Sequence, residues 1–209
     1  MRKRALIVVS LSVLAFAGFT TAASATTIRY VTGGIVPSGD PITGTLKPGT
    51  SAVLSSSAGT ITCTTSTFGG SIGTNPDTPS VTGSLTSLTF SNCTDTIPFV
   101  TVSTVTTNVS SSTPKTATAT YVGVASTFAV AGVTATINFT NGTSCTYGVT
   151  NNNPATATHD STTNPWNNEY RFNAVPLTRT SGTTVCSSSA TWTATYVATS
   201  NGVGITIQP

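Results

Sequence analysis

The sequence predicts an all-β protein built as an antiparallel β-sandwich. Three observations predict it: apolar and polar residues alternate along most of the chain, Gly, Pro, Asn and Asp cluster between the alternating runs, and four cysteines follow an export leader. Alternation with period two places one set of side chains on each face of a pleated strand, and no segment beyond the leader keeps a helical period.

The leader is the first element. The chain opens MRKRALIVVSLSVLAFAGFTTAASA, with a basic head of Arg2, Lys3 and Arg4, an apolar run from Ala5 to Phe19, and small residues ending Ala23-Ser24-Ala25. This three-part pattern marks residues 1–25 as a secretory signal peptide cleaved after Ala25. Its apolar run falls short of the about 20 residues a membrane-crossing helix needs, so no span is expected after cleavage. Residues 26–209 then form one secreted β domain, long enough to bury roughly 70% of its unfolded surface. No sorting motif or hydrophobic anchor follows the closing GITIQP, which leaves covalent attachment to the cell unsupported.

Losing the leader changes the charge. The basic residues left are Arg29, Lys47, Lys115, Arg171 and Arg179; the acids are Asp40, Asp77, Asp95, Asp160 and Glu169. The two sets cancel, so no basic stripe exists for phosphates and no polybasic patch for a membrane, and nucleic acid is excluded as a partner. Threonine makes up about a quarter of residues 26–209, so hydroxyls take the place of ions on the surface. Being β-branched, threonine also suits the pleated backbone.

The strands come next, in chain order. Residues 27–31 (TIRYV), 81–90 (VTGSLTSLTF), 99–105 (FVTVSTV) and 118–124 (TATYVGV) make up the first run. In VTATINF, Val133, Ala135, Ile137 and Phe139 share one side; in ATWTATYVA, Ala190, Trp192, Ala194, Tyr196 and Ala198 do the same. Residues 170–175 (YRFNAV) and 204–207 (GITI) complete the set. Turn clusters such as GGIVPSGDP, KPGT, GTNPDTP and TNGTS separate them, supplying preset bends and positive φ. Many short strands between such turns indicate a sandwich, immunoglobulin-like or related. Residues 150–168 read as one long polar loop, a length often found at functional sites.

The cysteines are Cys63, Cys93, Cys145 and Cys186. Export to an oxidising compartment reads an even count as a disulfide framework. Zinc sites pair ligands two to four residues apart, which this spacing does not offer, and a nucleophile needs a free thiol beside a base. Four cysteines allow three pairings. An apparent internal duplication, halves 26–114 and 115–209, each with a cysteine strand, a loop, a strand, a second cysteine and another strand, favours Cys63 with Cys93 and Cys145 with Cys186.

The leader, the GTITC…FSNC half, the TSC…TTVC half and the closing TWTATYVATSNG resemble small threonine-rich, two-disulfide secreted proteins of actinobacteria, a group without an assigned function. The resemblance implies an exported all-β fold and no known activity. A second resemblance is to the chromophore-carrier apoproteins of the neocarzinostatin type, which are also exported, hydroxyl-rich β-sandwiches with two disulfides, but shorter and with more closely spaced cysteines.

Three constellations bear on chemistry. His159, Asp160 and Ser161 hold the residue types of a catalytic triad in a row, yet neighbours on a strand point to opposite faces and do not converge. Asp160 and Glu169 are the only acids sharing one loop, the minimum a glycosidase needs. With Asn164, Asn167 and Asn168 they also offer oxygens to calcium, without the ordered spacing of a known calcium loop. None supports catalysis, a metal or a cofactor. Trp166, with Asn167 and Tyr170, offers instead an aromatic ring amid amides, the combination that grips a polysaccharide or a protein. The expectation is a secreted, non-catalytic binding protein with an extracellular ligand. The alternative is a self-associating structural protein, because threonine-rich strands with few charges lack the usual guards against edge pairing. A hydrolase ranks last.

Overall fold

The computed structural model describes residues 25–77, 79–122, 125–159 and 167–209. Fourteen strands and no helix occupy them. They are β1 (Thr27–Tyr30), β2 (Pro41–Leu46), β3 (Ala52–Ser56), β4 (Gly59–Ile72), β5 (Ser80–Asp95), β6 (Val102–Thr107) and β7 (Lys115–Val122), followed by β8 (Ala125–Val130), β9 (Thr134–Phe139), β10 (Ser144–Gly148), β11 (Ala155–His159), β12 (Glu169–Gly182), β13 (Ser189–Ser200) and β14 (Val203–Gln208). Every ladder is antiparallel, as the alternation predicts.

The ladders return on themselves. Strand β13 pairs with β2, β2 with β4, β4 with β5, β5 with β7, β7 with β8, β8 with β11, β11 with β12, and β12 with β13. The two layers of the expected sandwich are therefore opposite walls of one closed sheet. Four strands carry the frame: β4, β5, β12 and β13, of 14, 16, 14 and 12 residues. Between β13 and β4 the place is shared by two short strands end to end, β2 against Tyr196–Thr199 and β3 against Ala190–Thr193. Against β12 it is shared by β11 and β10.

The frame thus carries two tiers. In the first, β2, β7, β8 and β11 complete the circuit. Here Ile28 of β1 and Ile205 and Ile207 of β14 line one small interior space with Phe68, Phe128 and Tyr170. In the second, β3, β6, β9 and β10 stand beside the other halves of the long strands. That tier has a break: β6 forms a ladder with β9 but none with β5.

Alternation decides which side chains point inward. Ala190, Ala194, Tyr196 and Ala198 are all buried, with Trp192 packed against them, and Ile137 and Phe139 are buried on β9. Across the interior, the Phe68 ring stacks on Phe128 at 5.9 Å and meets the edge of Tyr196 at 5.2 Å. The Tyr196 hydroxyl shares a 2.7 Å hydrogen bond with Ser66 Oγ, both fully buried. This satisfies two polar groups that would otherwise cost free energy.

Burial drives the hydroxyls of Tyr170 and Tyr196 well above the ordinary tyrosine range, because the interior does not solvate a phenolate; the Ser66 bond offsets this only in part for Tyr196. A folded-state pKa above the unfolded one gives stability that is complete below the unfolded value and lost as pH climbs past it. Urea midpoints are expected to hold level up to about pH 10 and to drop steeply beyond it. Equal midpoints at about pH 8 and about pH 11 would refute a sealed environment for these rings.

Both disulfides form as the duplication favours. Cys63 and Cys93 are direct cross-strand partners on β4 and β5, closing a separation of 30 residues. Cys145 on β10 joins Cys186 in the turn after β12, with a separation of 41. The Arg179 guanidinium donates to the carbonyls of Thr183 and Cys186 and steadies that turn. Two disulfides fit an oxidising environment, and among the described residues no helix is long and apolar enough to cross a membrane.

Two sequence expectations need correction. Residues 150–168 are not one structureless loop, because Ala155–His159 is strand β11 in the closed wall, paired with both β8 and β12. Its Ala155, Ala157 and His159 are buried and its Thr156 and Thr158 exposed; two alanines are too weak an apolar signal to stand out among asparagine, proline and threonine. The strand expected at residues 99–105 begins later, at Val102. Phe99 is instead fully exposed with a φ of 67°.

Candidate functional site: an apolar cavity behind an unladdered seam

The break between β5 and β6 is bridged by side chains. Thr107 Oγ1 donates to the Leu88 carbonyl at 2.8 Å, and Asp95 Oδ2 accepts from the Val102 amide at 2.6 Å. A strand edge without a ladder opens more readily than one zipped along its length, so this seam is the weakest part of the second-tier wall.

Behind it lies a cavity of about 70 Å³. Leu88 and Phe90 of β5 and Val105 of β6 bound it at the seam, and Ile61, Ile137 and Trp192 bound it within. A second space of about 30 Å³ adjoins it, sharing Leu88, Val133, Ala155 and Trp192 as common walls. The cause of the space is compositional: alanines at 52, 135 and 155 face inward where larger side chains would close it. Protein interiors ordinarily pack as densely as organic crystals, so an apolar void of this size is a departure that costs stability.

The walls are almost all hydrocarbon. Tyr147 has a hydroxyl, but it donates to the Ser187 carbonyl at 3.1 Å, and burial raises its pKa against the opposing pull of nearby Arg179. Trp192 is held by Phe172, whose ring centroid lies 4.4 Å away, and by the edge of Phe90 at 6.4 Å. Its Nε1 is buried and has no acceptor among the described residues. Such a cavity can hold an uncharged guest by dispersion and by release of water; it carries no acid, base or nucleophile for a reaction.

The residues singled out in the sequence lie elsewhere. Tyr170 belongs to β12 and is 3% exposed, with its hydroxyl donating to the Ile205 carbonyl at 3.3 Å; it is a core residue and offers no surface to a ligand. Asn167 holds local structure: its carbonyl accepts from His159 Nε2 at 2.8 Å, and its Oδ1 accepts from the Glu169 amide at 3.0 Å. Glu169 pairs with Lys47 at 2.7 Å. Trp166, Asp160, Ser161 and Asn164 lie outside the described residues.

His159 is 3% exposed and bonds Ser126 Oγ through Nδ1 at 2.7 Å, while Thr206 Oγ1 lies 3.1 Å from Nε2. Because Nε2 must donate to the Asn167 carbonyl, Nδ1 accepts from the Ser126 hydroxyl, a pair that ties β8 to β11. Among the described residues no three His, Cys, Asp or Glu side chains gather to hold a metal.

Sequence reasoning misses the cavity but not its walls: alternation alone sets Val133, Ala135 and Ile137 on one side of their strand. Comparison with protein-family models, with curated proteins and with solved structures finds no match.

Proposed function

We propose that this protein is secreted and works without catalysis, as an extracellular binding protein whose ligand is a small apolar molecule held inside the sheet. The observation that carries the reading is the apolar cavity behind the β5–β6 seam, with its inward alanines. A void that costs stability and has no packing purpose is accounted for when a guest fills it. The leader and the two disulfides support export. Closure of the circuit from β13 through β2, β4, β5, β7, β8, β11 and β12 leaves fewer strand edges through which copies would join, those of β1 and β6 among them, and this supports binding over edge-to-edge assembly.

Xenon tests the reading, because dry apolar cavities take it up and it is smaller than benzene, as a space of about 70 Å³ requires. Under pressurised xenon the protein is expected to show methyl shifts confined to Leu88, Val105, Ala135 and Ile137, and Ala135→Leu, which fills the space, is expected to abolish them. Shifts spread over the outer surface, or none, would rule out an interior site.

A further inference from the structure

We infer that the guest is an unbranched alkyl chain that crosses from the larger space into the smaller one, and that Ala155 controls how much chain is admitted. The inference rests on the cavity reading and adds the shape and chemical class of the guest. The two spaces follow one another along the inside of the sheet. The larger is walled by second-tier residues, among them Val105 of β6 and Ile137 of β9. The smaller reaches the first tier, where Phe128 and Val130 of β8 wall it. Ala155 belongs to both walls, where β11 takes over from β10 along β12. It is buried opposite Val130 in the β8–β11 ladder and offers a single methyl group where a larger side chain would stand between the spaces.

The far end is aromatic. Phe68, Phe128, Phe172 and Tyr196 line the smaller space, with ring centroids 5.9 Å apart for Phe68 and Phe128, 5.2 Å for Phe68 and Tyr196, and 6.0 Å for Phe172 and Tyr196. Rings packed against one another in this way do not withdraw cheaply, so they stop the chain. The near end is the β5–β6 seam, where Leu88, Phe90 and Val105 are only partly buried. Between the two ends the walls are almost all hydrocarbon, so the enclosed part of the guest carries no charge and no hydrogen-bonding atom, and any polar end stays at the seam. Size then decides shape. With water's share of liquid volume, about 30 Å³, as the measure of one small group, the larger space of about 70 Å³ holds roughly two and the smaller of about 30 Å³ holds one. A ring or a branched body stays in the larger space; only a chain one group wide reaches both.

The test compares n-butane with isobutane, which has the same atoms and differs only in branching, by methyl resonances under gas pressure. Val105 and Ile137 report on the larger space and Val130 on the smaller. The linear isomer is expected to move all three and to bind about fourfold more tightly, the worth of one more buried carbon, whereas isobutane moves Val105 and Ile137 alone. In Ala155→Val, which narrows the passage, the preference and the Val130 shift are expected to vanish while xenon still enters the larger space. The wild type decides by itself should that variant not fold. Equal affinity for the two isomers, or a Val130 methyl that n-butane leaves in place, would overturn the inference, and xenon binding would then leave the cavity reading standing. Failure of xenon and of both isomers to bind would sink both.

Discussion

Replacing all four cysteines with alanine is expected to leave the chain unfolded, or nearly so, at 37 °C. In the chain-entropy account each cross-link removes freedom from the unfolded ensemble, and closures of 30 and 41 residues correspond to about 4 kcal/mol apiece. Together they rival the whole net stability of an ordinary domain, about 5–15 kcal/mol. Each pair replaced alone should lower the urea-extrapolated stability by about 4 kcal/mol. The consequences differ in place. Cys63 and Cys93 lie opposite one another within a long β4–β5 ladder, so that hairpin persists without them. Cys145 and Cys186 tie a turn to β10, so their loss should also speed amide exchange in residues 183–188. Circular dichroism against urea, with and without reductant, measures the cost; a loss under about 1 kcal/mol per pair would contradict it.

Gly44→Val is expected to cost about 3 kcal/mol or more. Gly44 on β2 pairs with Phe68 on β4, and a Cβ at residue 44 would lie 2.0 Å from the Phe68 ring, far inside contact distance. That ring cannot withdraw cheaply, since it is 7% exposed and held between Phe128 and Tyr196. Displacing it breaks the packing across the interior and presses on the Ser66–Tyr196 hydrogen bond, so the penalty combines overpacking with a weakened polar pair. Gly49→Ala is the control. Its φ of 78° disfavours a side chain, but a Cβ there meets nothing, so about 1 kcal/mol is expected. Equal melting shifts for the two variants would show that the Phe68 ring gives way at little cost and does not fix the glycine at 44.

Much of the fold is legible in the chain. Alternation places Ala190, Ala194, Tyr196 and Ala198 on one face because a strand's side-chain period is geometric and needs no partner to appear. Legibility fails where the apolar signal is weak. In β11 it consists of two alanines and a histidine, and the strand is specified by its neighbours β8 and β12 more than by its own residues. Tyr170 escapes for another reason. Its position beside a polar loop suggests a surface ring, whereas the β12–β13 ladder pairs it with Tyr196 and turns it inward.

The sequence by itself determined the class of structure, the inward and outward faces of its strands and a surface richer in hydroxyls than in charges, all of which depend on residues near one another in the chain. The order of its cysteines also anticipated both disulfides, since consecutive cysteines fall on elements that fold together. Only the tertiary structure decided that β12 pairs with β13 to close the sheet, that β6 stops short of laddering with β5, and that alanines from distant strands leave a space beside Trp192. Those features depend on which strands meet across up to the full length of the chain, and period-two alternation is the same whichever neighbour a strand acquires.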